Sequence, residues 1–295
     1  MTALKDAHAT LTSRDRMLRT LSGRSVDRTP MWFMRQAGRH LPGYRALREK
    51  HSFLDICRRE EANAPASAEP VHRYGIDAAI VFNDILIPLM DMGMGLDFLP
   101  APRFDRLISS VADVAALRSP VYDHTTDVAR CLRTLRREIG DHTAMLGFVG
   151  APLTVAGFAI GGVGAGRQPL EHLVTQNSEV FRALQARLVG VLTDYAAVQA
   201  EAGADVIQVF ESLADQLSES TFRSAGLPFL RELVESIARR LPGKPLIIFG
   251  RGLWPYIEDL SSTGAALSLD HARPLPEARR RLRSLGKQPF EHALQ

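Results

Sequence analysis

Two arginines follow a short apolar stretch of this chain, and their spacing is typical of an anion-binding loop. The apolar run from Pro30 to Met34 predicts a buried strand. Arg35 and Arg39 come next, with Gly38 between them as a position where the backbone can bend. A guanidinium presents a planar fork of donors that matches a carboxylate. The pattern indicates carboxylate binding, although a solvated loop with two surface arginines is the alternative that the spacing alone favours.

An acid and a serine follow two other apolar runs. Asp84 comes after residues 79–82, and Ser212 comes after residues 208–211. An ionised aspartate only accepts hydrogen bonds, which suits converging N–H donors or a developing positive charge. For both residues the alternative is a cap or a turn, where aspartate and serine are common.

Short apolar runs alternate with longer amphipathic ones along the whole chain, and this predicts strands alternating with helices. Helices are predicted over residues 13–22 and 178–200. The predicted strands are Pro30–Met34, Ala78–Phe82, Met145–Val149, Val206–Phe210, Leu246–Phe249 and Ala266–Leu269. This alternation favours a parallel sheet with helices outside it. Since no linker interrupts the pattern, residues 1–295 are interpreted as a single domain.

Composition excludes several classes of function. The chain has 295 residues and a net charge of only +3, which is too mild for a concentrated nucleic-acid-binding face. We expect no membrane partner, because neither a signal peptide nor a run of roughly 18 apolar residues is found. Cys57 and Cys131 have no metal-ligand spacing, so we expect no metal site and a reducing cytoplasm. The glycine-rich stretch 161–166 lacks the context of a dinucleotide fingerprint and predicts a loop rather than a cofactor site.

Together these segments resemble the uroporphyrinogen decarboxylase family from about residue 13 to residue 287. The run from Met34 to Arg39, followed by His40 to Arg45, is similar to the N-terminal signature of that family. Six further segments resemble family motifs in the family's order: Phe53–Cys57, Gly75–Ile80, Phe82–Leu86, Gly150–Thr154, Glu201–Asp205 and Phe210–Ser212.

The resemblance implies a (β/α)8 TIM barrel whose active site lies at the carboxyl ends of the strands. It also implies a homodimeric carboxy-lyase of heme biosynthesis. Such an enzyme converts uroporphyrinogen III to coproporphyrinogen III by removing acetate carboxyl groups, with no metal or organic cofactor. A protonated pyrrole ring then serves as the electron sink, so an enzyme helps most by stabilising that cation and holding the carboxylate groups still.

The resemblance assigns roles to individual residues. Asp84 matches the family aspartate that binds pyrrole N–H groups, and Arg35 and Arg39 match arginines that pair with substrate carboxylates. These three are the expected catalytic residues. The expected substrate-binding residues are Arg35, Gln36, Ala37, Gly38, Arg39, Asp84, Phe158 and Ser212. Ser212 matches a serine that hydrogen-bonds a substrate carboxylate.

The chain departs from the family pattern at three places. Phe158 aligns with a functional tyrosine, and Asn83 stands where a small hydroxyl residue is more usual. Six strands are predicted where the family barrel has eight, so the last one or two βα units and a late histidine are expected to be missing. These departures leave open a non-catalytic tetrapyrrole-binding relative, a partner subunit completed by another chain, or a defunct truncated product.

Overall fold

A parallel sheet lies at the centre of the computed structural model, which describes residues 11–98, 101–161, 170–272 and 274–284. The strands are β1 (Ala78–Ile80), β2 (Leu96–Phe98), β3 (Pro102–Phe104), β4 (Ala144–Gly150), β5 (Val206–Glu211), β6 (Leu246–Gly250) and β7 (Ala266–Leu269). β2 and β3 form a separate antiparallel hairpin. The other five are parallel in the order β1-β4-β5-β6-β7. Neighbours in the sheet follow one another along the chain, as in a barrel, whereas a doubly wound sheet reverses its order.

Helices cover the outside of this sheet. They are α1 (Ser13–Leu21), α2 (Pro42–Lys50), α3 (Phe53–Arg58), α4 (Glu60–Tyr74), α5 (Ile87–Asp91), α6 (Val111–Ala116), α7 (Asp127–Ile139), α8 (Pro152–Ala159), α9 (Leu170–Gln176), α10 (Ser178–Glu201), α11 (Glu219–Thr221), α12 (Leu227–Arg240), α13 (Ile257–Ser261) and α14 (Leu275–Ser284). The predicted helices at 13–22 and 178–200 are confirmed to within one residue at each end. In α10, Leu184, Leu188 and Leu192 are fully buried at helical spacing and face the sheet and α8.

The strand predicted at Pro30–Met34 is wrong. This segment runs beside the start of β1 and makes one backbone hydrogen bond there, donated by N of Asp77, the residue before the strand, to Met31 O (2.7 Å). Pro30 has no N–H to donate. The N–H of Met31 donates to the Asp77 carboxylate (2.7 Å), and that of Phe33 donates to Oε1 of Gln36 (3.1 Å). Since side chains take the donors that a ladder would use, no regular pairing forms. The other five predicted strands are confirmed, and the β2–β3 hairpin was not foreseen.

A glutamine side chain completes β4 where β1 leaves the sheet. The last backbone hydrogen bond between the β1 segment and β4 is donated by Val81 N to Leu146 O (3.1 Å). Beyond it, Phe148 N donates to Oε1 of Gln199, and Nε2 of Gln199 donates to Phe148 O, both at 2.9 Å. A Cβ on Gly147 would lie only 2.7 Å from Oε1 of Gln199, so a glycine leaves room for this amide. The chain after Val81 is therefore free to turn across the ends of the strands.

Candidate active site

The carboxyl ends of β1, β4 and β5 bring Asp84 and Ser212 to the same edge of the sheet. Asp84 follows β1 by four residues, and Ser212 follows β5 directly. Ile85 lies against the last residue of β4, since a Cβ on Gly150 would be 3.1 Å from the Cβ of Ile85. On the other side of β4, Ala151 N donates to the backbone of β5 (2.8 Å). Asp84 and Ser212 therefore lie on either side of the end of β4, as their positions after strands predicted.

The carboxyl group of Asp84 is half-buried and only partly committed to the protein. Its Oδ1 accepts a hydrogen bond from Leu86 N (2.9 Å). In the described part of the chain, Oδ2 accepts none. Burial raises the pKa of Asp84 to about 6, and the bond from Leu86 opposes that rise. The carboxylate is ionised at neutral pH and has one oxygen available to a donor.

Arg35 and Arg39 lie in the loop between the Pro30–Met34 segment and α2, and both are exposed. Neither guanidinium forms a hydrogen bond or an ion pair with another described residue. Arg45 fixes the loop through Nη1, which donates to Arg39 O (3.0 Å) and to His40 O (3.2 Å). The two guanidiniums are therefore free to bind an anion from a loop whose backbone is held.

The Arg39 loop is connected to the Asp84 segment through an aromatic contact. Arg39 is close enough to Tyr44 to act on its phenol, whose pKa is raised by burial and lowered by the nearby arginines. The ring of Tyr44 packs against that of Phe82, with 5.2 Å between centroids. Phe82 is two residues before Asp84, so this ring contact joins the start of α2, directly after the arginine loop, to the segment that carries the aspartate.

The other residues of the signature loop have different positions. Gln36 is buried, and its Nε2 donates to Ala78 O (2.9 Å) while its Oε1 accepts from Phe33. This side chain anchors the loop to β1. Ala37 and Gly38 are partly exposed. The backbone bends at Gly38, as predicted, but without a positive φ, and a Cβ there would meet nothing nearer than 3.6 Å, so the bend does not depend on a glycine.

A buried acid that sequence reasoning missed holds the turn at Ser212. Ser212 N donates to Oγ1 of Thr154 (2.8 Å), and that hydroxyl donates to Oε1 of Glu211 (2.7 Å). Leu213 N donates to the same oxygen (2.8 Å). Glu211 is fully buried, and burial raises the pKa of its carboxyl to about 7. The acidic residue at the end of an apolar strand could have been recognised in the sequence as unusual. Nothing in the sequence indicates that it contacts Thr154.

Buried aromatic side chains on β4, β5 and β6 pack against one another across the sheet. The rings of Phe148 and Phe210 meet edge to face with centroids 5.4 Å apart, and Phe210 meets Phe249 in the same way at 6.0 Å. Phe158 is half-buried in α8 and packs against the core. A phenylalanine contributes contact area at this position and no hydroxyl group.

The described residues contain no candidate membrane-spanning helix and no candidate metal-binding cluster. Within the described ranges, no helix is long and apolar enough to cross a bilayer. The same residues contain no group of three or more His, Cys, Asp or Glu side chains that could hold a metal ion. Apart from Gly161, the glycine-rich stretch lies outside the described residues.

A solved structure of the same fold supports the barrel assignment. The methyltransferase from Methanosarcina mazei matches with a TM-score of 0.75, covering 93% of this chain and 81% of that protein. The sequences are only 17% identical, so the likeness concerns the fold alone. It agrees with the parallel order of the sheet and with the predicted TIM-barrel class.

Two relatives in sequence share one name, uroporphyrinogen decarboxylase. Uroporphyrinogen decarboxylase from Myxococcus xanthus is 37% identical over 270 residues, which cover 90% of this chain and 77% of that protein. The enzyme of that name from Chlorobium phaeovibrioides is 35% identical over 254 residues, covering 85% and 72%. The model of the family described as uroporphyrinogen decarboxylase (URO-D) matches residues 12–289. The chain therefore belongs to the uroporphyrinogen decarboxylase family, as its motifs predicted.

Proposed function

We propose that this protein is a carboxy-lyase that converts uroporphyrinogen III to coproporphyrinogen III in heme biosynthesis, without a cofactor. Family membership supports the reaction class. The structural observation that carries the proposal is the Asp84 carboxylate, which is half-buried at the carboxyl edge of the sheet with Oδ2 free of protein donors.

In the proposed mechanism Asp84 stabilises a cation. Protonation of a pyrrole ring gives a cation that accepts the electron pair released when the C–C bond to the departing carbon dioxide breaks. The exocyclic methylene that remains then takes a proton from solvent to become the methyl group, and the ring gives its added proton back to solvent. With Oδ1 held by Leu86, the Asp84 carboxylate accepts pyrrole N–H donors and offsets the positive charge. A carboxylate that is fixed and partly removed from water acts more strongly on such a cation than one in bulk solvent.

The remaining residues hold the anionic arms of the substrate. Arg35 and Arg39 pair with its carboxylate groups, because their guanidiniums are exposed and uncommitted. Ser212 offers its hydroxyl from a turn that Thr154 and Glu211 hold. Gln36 uses its side chain to anchor the loop, so we assign it, with Ala37 and Gly38, a contribution through the backbone.

Phe158 takes the position of the family tyrosine as an apolar contact. One missing hydrogen bond costs about 1–3 kcal/mol, which corresponds to a loss of rate of about fivefold to 150-fold. A loss of that size is compatible with turnover. The relatives' shared name also favours an enzyme over the binding-only or partner-subunit alternative.

We further propose a cytoplasmic homodimer. Two unpaired, buried cysteines, Cys57 and Cys131, support a reducing compartment. The resemblance to a dimeric family supports self-association. Light scattering coupled to size-exclusion chromatography would test the dimer, and a mass equal to one chain would contradict it. Fractionation of the source cells would test the compartment.

The decisive experiment is an anaerobic assay with chemically reduced uroporphyrinogen. Products are oxidised and separated by chromatography, so that each carboxyl lost is visible. We expect the wild-type chain to form coproporphyrinogen and Asp84→Asn to form it at least a hundredfold more slowly. Folded wild-type protein that gives no product above the uncatalysed background would overturn the proposal, and tetrapyrrole binding without turnover would identify the binding relative.

A further inference from the structure

Asn83 links Asp84 to a buried tyrosine on helix α10. The N–H of Asp84 donates to Oδ1 of Asn83 (2.9 Å), and Nδ2 of Asn83 donates to the hydroxyl of Tyr195 (2.6 Å). Tyr195 is 1% exposed. The asparagine amide thus uses its acceptor toward the aspartate and its donor toward the helix.

Side chains, rather than the sheet, hold the segment that carries Asp84. Val81 N makes the last backbone bond to β4. Phe82 N donates to Oγ of Ser67 (2.8 Å), and Phe82 O accepts from Nδ2 of Asn63. Asp84 N follows the same pattern, since its acceptor is Oδ1 of Asn83. The position of the catalytic aspartate therefore depends on side-chain contacts at each of these steps.

Tyr195 is a rigid point of attachment. Its ring packs against Tyr122 with 5.0 Å between centroids, and the hydroxyl of Tyr122 donates to Oδ2 of Asp91 (3.2 Å). Burial raises the pKa of Tyr195 well above its usual value, so the phenol stays neutral and accepts the bond from Asn83. The two tyrosines are neighbours, and among the described residues Asn83 donates to the hydroxyl of Tyr195, whereas the hydroxyl of Tyr122 donates to Asp91.

We propose that Tyr195 is a positioning residue that acts through Asn83 to fix the Asp84 carboxylate. The inference rests on the proposed function, in which Asp84 contacts the pyrrole N–H groups. Asparagine is able to form this link because it reaches the phenol while still accepting from the next residue's N–H. A loosened Asn83 lets the Asp84 segment shift, which weakens cation stabilisation in the transition state more than it weakens substrate binding.

The test compares Tyr195→Phe with Tyr122→Phe. Each variant removes one phenol hydroxyl from the same aromatic pair, and only the first removes the acceptor of Asn83. We expect Tyr195→Phe to lower kcat about tenfold with KM within twofold of wild type, and Tyr122→Phe to leave kcat within twofold. In a double-mutant cycle, Asn83→Ser and Tyr195→Phe should be non-additive. A kcat for Tyr195→Phe equal to that for Tyr122→Phe would overturn the proposal.

A second measurement does not depend on activity. Amide hydrogen exchange in a peptide spanning residues 82–87 should rise in Tyr195→Phe and stay at the wild-type rate in Tyr122→Phe. Unchanged exchange in Tyr195→Phe would also overturn the positioning role. If wild-type protein lacked turnover, the proposed function would fail, while the exchange result would still decide whether Tyr195 fixes the Asp84 segment.

Discussion

The hydroxyl of Thr154 donates a 2.7 Å hydrogen bond to the buried carboxyl group of Glu211. The same hydroxyl accepts the N–H of Ser212, so the turn after β5 is held by a helix that follows β4. Two neighbouring strand ends are thereby joined at the edge where the substrate is proposed to bind.

Replacing Thr154 by valine should weaken substrate binding. The change keeps the shape but removes the acceptor of Ser212 N and a donor to Glu211, so the serine turn loses its support. We expect KM for uroporphyrinogen to rise about threefold to tenfold, because only part of the cost of losing these two hydrogen bonds falls on substrate binding. Thr193→Val is the matched control, because the hydroxyl of this buried threonine donates to Val189 O in its own helix and, in the part of the chain that the structure describes, to no other group. Equal KM values for the two variants would contradict the prediction.

Glu211 should make the protein less stable as pH rises from about 4.5 to about 7. Its pKa is near 4.5 in an unfolded chain and about 7 in the folded protein, so in this window the folded state binds more protons. The free energy of unfolding therefore falls with rising pH, by about 3 kcal/mol over the window. Glutamine is the neutral isostere of the protonated acid. Glu211→Gln should therefore remove this dependence of the free energy of unfolding on pH.

Denaturant unfolding at several pH values measures the slope. Glu138→Gln, at an exposed position of α7, is the control and should unfold with the wild-type pH dependence. A slope in Glu211→Gln as steep as that of the wild type would show that another group is responsible.

Activity should fall as pH is lowered through about 6. The proposed role of Asp84 requires the ionised carboxylate, and burial raises its pKa to about 6. We expect kcat/KM of the free enzyme to drop about tenfold for each pH unit below that value. Asp84→Asn should lose at least a hundredfold in kcat at neutral pH, because the neutral amide does not offset the cation. The prediction would be contradicted if kcat/KM fell only at the lower pH at which an ordinary aspartate is protonated.

Arg35 and Arg39 should contribute mainly to substrate affinity. Replacing either by glutamine removes a guanidinium that has no protein partner among the described residues, so folding should be unaffected. A charge-assisted bond is worth about 1.5–3 kcal/mol, and we expect KM to rise about tenfold or more. Arg239→Gln changes an exposed arginine in the last turn of α12, near the opposite end of the sheet, and should leave KM as it is. Initial rates against substrate concentration give the comparison.

The positions of Asp84 and Ser212 were predictable because alternating strands and helices place every residue that follows a strand at one edge of a parallel sheet. The helix bounds were predictable from periodicity, as α10 illustrates. The strand predicted at Pro30–Met34 failed because its donors bond to side chains. Local apolar character does not reveal an Asp77 or Gln36 that competes for the backbone.

The contacts that hold the site could not be read from the sequence. Thr154 and Glu211 are 57 positions apart, and Asn83 and Tyr195 are 112 apart. Each is an ordinary residue in its own segment. These pairs form because helices pack against the strand ends. Nothing in the local sequence around either residue indicates which distant residue it will contact.

The side-chain amide of Gln199 takes the place of a peptide group of a neighbouring strand beside β4. As a result, the residue types possible at positions 147 and 199 depend on each other. A shorter residue at 199 would leave both backbone groups of Phe148 unsatisfied and let water reach the barrel wall. Any side chain at Gly147 would expel the same amide. Relatives that lose this glutamine should therefore be free to lose the glycine, and those that keep it should not.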